Sequence, residues 1–174
     1  MVRIIGLLGL LLFSTIVSAD NIADNDHVIA IPVQNTHHRV NQQVRDTLTL
    51  VSLNIAHGRR TSLNQILVSR KKTQSNLQNI ADFFIQVNAD IVALQEADGP
   101  SHWSGNFHHV AFLAEHGGYP QYIHASHANI WIGHFGTAVI SHLPIRAGYA
   151  LTFPPSPPTT RKGYTLAEIE WQTK

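Results

Sequence analysis

Asn54 and Glu96 are the residues whose types and positions best suit chemistry, because each closes a short apolar run. Glu96 ends the stretch Asp90 to Asp98, whose Ile91-Val92-Ala93-Leu94 core suits a strand buried on both faces between helical layers. Open α/β sheets place ligand chemistry at the carboxyl ends of such strands, where the flanking layers keep water off. Gln95-Glu96-Ala97-Asp98 also reads as a plain polar exit loop, and a second strand with the same kind of ending weighs against that. Along Leu48 to Ile55, Leu48, Leu50, Ser52 and Asn54 share one face while Val51, Leu53 and Ile55 line the other, so Asn54 emerges at the strand end. An amide and a carboxylate would then converge. His57, just past Asn54, is a weaker candidate for a substrate-side contact, the alternative being that it only fixes the loop.

The elements that must position these residues follow from periodicity. Leu77, Ile80, Ala81, Phe84 and Val87 recur at helical spacing within Thr73 to Asn88, predicting an amphipathic crossover helix between the two strands, which the Arg70-Lys71-Lys72 run starts as a solvated face. Such a crossover makes a parallel strand pair the expectation. Phe107 to Glu115 predicts a short helix stopped by Gly117-Gly118, Gln121 to His124 a short strand, and His124 to His134 a loop. Gly136 then opens a strand over Thr137 to Ser141, with Pro144 fixing its exit. Ala147 to Phe153 and Tyr164 to Trp171 predict two more strands around a Pro-rich loop.

Jointly, Ser52-Leu53-Asn54-Ile55, Leu94-Gln95-Glu96 and Gly136-Thr137-Ala138-Val139-Ile140-Ser141-His142-Leu143-Pro144-Ile145 resemble the endonuclease/exonuclease/phosphatase superfamily over about Thr47 to Trp171. That resemblance implies an α/β fold, part of a two-sheet α/β sandwich of the DNase I-like kind, that hydrolyses phosphoesters with a divalent ion. Glu96 would be the metal carboxylate and Asn54 would sit beside it, as catalytic and metal-holding residues, with Mg2+ or Mn2+ suited to their hard oxygen donors. The substrate would be a phosphate ester: nucleic acid, a phospholipid head group or a small phosphoester. Thr137 stands where relatives often carry Asn and His142 where they often carry Arg, which puts substrate contacts in question. The family's catalytic His strand, its Asp-x-Asn element and its closing Asp-His pair have no counterpart here, so the expectation is an amino-terminal portion with the carboxyl-terminal half absent, inactive by itself. An uncovered apolar sheet face would follow.

Composition narrows the alternatives. Of 174 residues 44% are hydrophobic and 13% charged, against about 25% charged in typical domains. Twelve Lys and Arg against 11 Asp and Glu give +1, which supplies no broad basic field for nucleic acid. Zero Cys excludes disulfides, thiolate metal sites and a Cys nucleophile. Met1 to Ala19 carries Arg3, an uncharged apolar run and Ser18-Ala19, the pattern of an export signal cleaved before Asp20, with a retained anchor as the alternative. The expected organisation is a signal peptide over 1–19, a flexible leader over 20–46 with one short edge strand before Pro32, and the domain portion over 47–174, exported to the periplasm or beyond. No obligate protein partner is evident. The 12 histidines support a second class of reading, a non-catalytic exported His-rich metal-binding or interaction module. His108, His109 and His116 fall at helical spacing, but without an acidic helper an exposed face explains them better than zinc does.

Overall fold

The computed structural model describes residues 3–5, 28–40, 46–60, 62, 68–130, 133–155 and 157–171. Its strands are β1 (Arg3–Ile5), β2 (Val28–Ile31), β3 (Gln34–Asn35), β4 (Thr49–Asn54), β5 (Ile91–Asp98), β6 (Gln121–Ile130), β7 (Gly133–Ser141), β8 (Ile145–Thr152) and β9 (Gly163–Ile169). Two α-helices, α1 (Arg70–Gln86) and α2 (His109–His116), and a short 3-10 turn over Ala56–Gly58 complete the regular elements among the described residues. None of the described helices is long and apolar enough to cross a membrane.

The β4–α1–β5 unit forms as its periodicity demands. Ser69 starts α1 in an extended conformation, its side chain accepting from the Lys72 N–H and so satisfying one of the first-turn donors. Leu77, Ala81 and Phe84 are fully buried against the sheet together with Val92, Leu94 and Ile140. Truncating Leu77 or Phe84 removes a side chain from a packed core, a loss of about 2–5 kcal/mol. Asn88, with φ 51, turns the chain out of the helix toward β5. β4 and β5 pair in parallel from Leu50↔Ile91 to Asn54↔Gln95, which brings their carboxyl ends level.

The larger sheet runs β1-β4-β5-β7-β6-β3 and the smaller β2-β8-β9. A second apolar cluster, Leu48, Ile91, Ile123, Val139, Leu143 and Ile145 with Ile31, Ala167 and Ile169 against it, draws on strands of both sheets. The apolar face expected to stand uncovered is therefore packed, by a second sheet that β2, β8 and β9 build. The expected strand before Pro32 is β2, paired antiparallel with β8, and the leader also supplies β3. Of the expected export segment, Arg3–Ile5 run parallel to β4, and the rest of 1–19 lies outside the described residues.

A further expectation is corrected: with 131 and 132 outside the described residues, residues 124–130 and 133–134 are strand and not loop. They belong to a long β6–β7 hairpin, Gln121↔Ser141 through Ile130↔Gly133, interrupted by an irregularity between Ser126 and Ala128. Gly136 sits where this irregularity meets a matching one between Gln95 and Ala97 in β5. A Cβ there would lie 1.8 Å from the Ala125 carbonyl oxygen, so only Gly fits.

Candidate functional site

Where β4 and β5 end, the backbone leaves ordinary strand geometry in a way that aims side chains. Glu96 is the extra residue of the bulge between Gln95 and Ala97, and its φ of 50 lies in the left-handed region. Past Asn54, Ala56, His57 and Gly58 follow with φ 47, 54 and 71, one turn of left-handed backbone. Such residues cost about 1–2 kcal/mol each for side chains with a Cβ, and they persist where surrounding bonds over-determine them. Here Asn54 Oδ1 accepts from the Ala56 N–H at 2.8 Å, Gly58 N–H donates to the Ile55 carbonyl at 2.8 Å, and Asn76 Nδ2 donates to the Gly58 carbonyl at 2.9 Å.

This turn brings Asn54, His57, Glu96 and Asp98 into one group. Asn54 Nδ2 donates to Glu96 Oε1 at 2.9 Å, so the two residues singled out from sequence are in contact. His57 Nε2 lies 3.5 Å from Glu96 Oε2, while His57 Nδ1 donates to Asp98 Oδ1 at 2.7 Å. His57 thus bridges a carboxylate with no solvent exposure, Asp98, and one whose side chain is 40% exposed, Glu96. Trp103 and Phe135 meet the imidazole edge-on at centroid distances of 5.7 and 5.0 Å. The ring is held on its Asp98 nitrogen and its faces, which leaves Nε2 directed at Glu96.

Behind Asp98 stands His109, fully buried, its Nδ1 4.0 Å from Asp98 Oδ2 and its Nε2 donating to the Ser104 carbonyl at 2.9 Å. Burial lowers the His109 pKa, partly offset by Asp98 and the Ser104 carbonyl. Neighbouring imidazoles are kept neutral in the same way. Burial, with His109 beside it, lowers His108 to about 4, and burial, with His108 beside it, lowers His124 to about 4. His109 is therefore an interior residue and not part of an exposed histidine face, while His116 stacks on Phe112 and bonds that residue's carbonyl.

Sequence reasoning missed Asp98, treated as part of a polar exit, along with Trp103, Phe135 and His109. The available signal was the second acidic residue two positions after Glu96, on a segment already read as buried. Thr137 and His142, flagged as departures, go to different places. Thr137 Oγ1 bonds His127 Nε2 at 2.9 Å and Thr165 Oγ1 at 2.8 Å, tying the two sheets together. His142 stacks on Tyr119 at 4.2 Å, next to the amino end of β5.

A sequence model of the endonuclease/exonuclease/phosphatase family matches residues 51–169. A solved structure of an endonuclease/exonuclease/phosphatase family protein from Leptotrichia buccalis C-1013-b is similar at 17% identity and a TM-score of 0.49, the match covering 71% of this chain and 49% of that one. The chain thus spans about half the length of that structure. No curated protein matches it.

Proposed function

The chain belongs to the endonuclease/exonuclease/phosphatase family, and from that membership we propose that it serves an exported, divalent-metal-dependent phosphoester hydrolase. The observation that supports this most is the Asn54–Glu96 contact at 2.9 Å on a strand end where Glu96 is held at φ 50. Energy invested in holding a carboxylate in strained backbone is characteristic of functional sites.

The donor set fits a hard cation. Glu96 offers carboxylate oxygens, and its partial exposure lets water complete an octahedral shell, as Mg2+ or Mn2+ requires; Asn54, with Nδ2 on Glu96 and Oδ1 held by the Ala56 N–H, is placed to orient that carboxylate and the ion's water shell. The bound ion would neutralise charge developing on the phosphoryl and leaving oxygens. The chain's own residues orient and exclude. Asn54 fixes one Glu96 oxygen, His57 faces the other, and Asp98 fixes the His57 tautomer by taking its Nδ1 proton in a hydrogen bond. Trp103 and Phe135 keep the His57–Asp98 side of the group away from bulk water, which strengthens each of these contacts. The substrate class is a phosphate ester, from nucleic acid, a phospholipid head group or a small molecule. Export is proposed from Arg3, the apolar run after it and Ser18-Ala19, and amino-terminal sequencing of the secreted protein should find Asp20 first.

The deciding assay is hydrolysis of a chromogenic phosphodiester by the protein in its full reading frame, with Mg2+ and with chelator. Turnover that requires the ion and falls at least ~100-fold in Glu96→Gln is expected. Turnover unchanged by chelator or by Glu96→Gln would overturn the reading.

A further inference from the structure

We propose that His37, His38 and Glu115 form a second cation site, for a borderline ion of the zinc class, at the opposite end of the larger sheet from Glu96. The position follows from register. Thr36 N–H donates to the Pro120 carbonyl at 2.9 Å, and Gln121 pairs with Ser141, which pairs in turn with Ile91 at the start of β5. Glu96 lies near the far end of that strand.

Three donor atoms, one from each residue, all lie within 4.8 Å of one another. Glu115 Oε1 is the common point: His37 Nδ1 contacts it and His38 Nε2 stands 3.7 Å away. This oxygen is shielded from solvent and takes no hydrogen bond from the described residues, so its charge is answered by imidazole nitrogens. Two imidazoles and one carboxylate are the nitrogen and oxygen set that zinc accepts, with water in the fourth position, and magnesium would prefer an all-oxygen set.

The histidines are held in place rather than loosely adjacent. Thr36 Oγ1 donates to the Tyr119 carbonyl at 2.8 Å and accepts from the His38 N–H at 3.2 Å, which fixes the backbone that carries the pair. His38 Nε2 also reaches the Glu115 carbonyl at 2.8 Å. Zinc bound at that nitrogen moves the imidazole proton to Nδ1 and exchanges the carbonyl bond for a ligand bond. The ion would thereby join the segment after β3 to the last turn of α2, whose carboxyl-terminal carbonyls favour a cation nearby. A surface ion pair by itself would do little of this, since exposed pairs contribute weakly.

Zinc chloride is titrated calorimetrically into the untagged full chain and into His38→Ala, Glu115→Gln and His37→Ala/His38→Ala. One site whose Kd rises at least tenfold in each variant is expected, with circular dichroism confirming the fold, and Glu115→Gln preserving shape where the Ala variants disturb packing. Zinc should also slow tryptic cleavage after Arg39, next to His38, in the wild type and not in Glu115→Gln. Equal zinc affinity in wild type and the double variant, or binding without protection at Arg39, would overturn the proposal.

Discussion

Asp90 and Glu96 lie toward opposite ends of strand β5 and are held in opposite ways. Asp90, 3% exposed, precedes Ile91, and its Oδ2 accepts from the Thr49 N–H at 2.8 Å. Its own N–H donates to the Thr49 carbonyl and its carbonyl accepts from the His142 N–H, both at 2.9 Å. Tyr119 closes this end, its hydroxyl donating to the Ala89 carbonyl at 2.9 Å, with burial and the Asp90 charge both raising the phenol's pKa. Glu96 instead keeps one oxygen on an amide and turns the other toward an imidazole 3.5 Å away, on backbone bent out of strand geometry. A carboxylate that caps backbone donors inside the fold stabilises; one held by side chains at a bulge is available to a ligand. Residue type does not separate the two roles, but what the oxygens touch does.

The contrast can be broken in several places. Gly136→Ala acts on the bulged end as a whole, because the new Cβ must displace the Ala125 carbonyl; a loss of about 4 kcal/mol or failure to fold is expected in chemical denaturation, where ordinary overpacking costs about 1–3. Asp98→Ala leaves His57 without its buried partner and should cost about 3 kcal/mol while also lowering turnover in the full reading frame, a joint effect that Asp90 substitutions should not produce. Asp90→Ala should cost about 1–3 kcal/mol, the penalty of a half-buried Thr49 N–H losing its partner inside the fold, with divalent affinity unchanged.

A pH titration sharpens the comparison at the same end as Glu96, since His124 bonds the Ala97 carbonyl and meets His108 at 4.9 Å. Both folded-state pKa values are depressed to about 4 from 6.5, so the unfolded chain takes up protons first as pH falls. The contribution of these two imidazoles to stability should be constant above about pH 6.5 and decline between there and about pH 4, by up to about 3 kcal/mol for each. His124→Gln should flatten part of that decline. A pH-independent melting temperature over this window would show that the two imidazoles are not held neutral by burial.

What the sequence disclosed tracks where apolar periodicity was unbroken. β4, α1 and β5 each present an apolar face, so their existence and order, the parallel pairing and the meeting of Asn54 with Glu96 were legible, with ends displaced by up to three residues. The inner part of the β6–β7 hairpin was not, because between Ile123 and Val139 its buried apolar positions are small, Ala125, Ala128 and Ala138, and the irregularity beside His127 shifts the alternation. Asp98 was hidden for a related reason: the bulge at Glu96 breaks the two-residue period, so nothing in the spacing shows that Asp98 points inward to His57. Tertiary bonds such as Asn76 to Gly58, which secure the left-handed turn, leave no local sequence trace at all.

The central claim, that Glu96, oriented by Asn54, holds a divalent ion where Asp90 does not, is tested most directly by titrating Mn2+ and following its spin-resonance signal in the His37→Ala/His38→Ala background, which removes the proposed zinc-class site. One bound ion is predicted, with affinity reduced at least tenfold by Glu96→Gln and unchanged by Asp90→Asn. Equal Mn2+ binding with and without the Glu96 carboxylate would contradict the account.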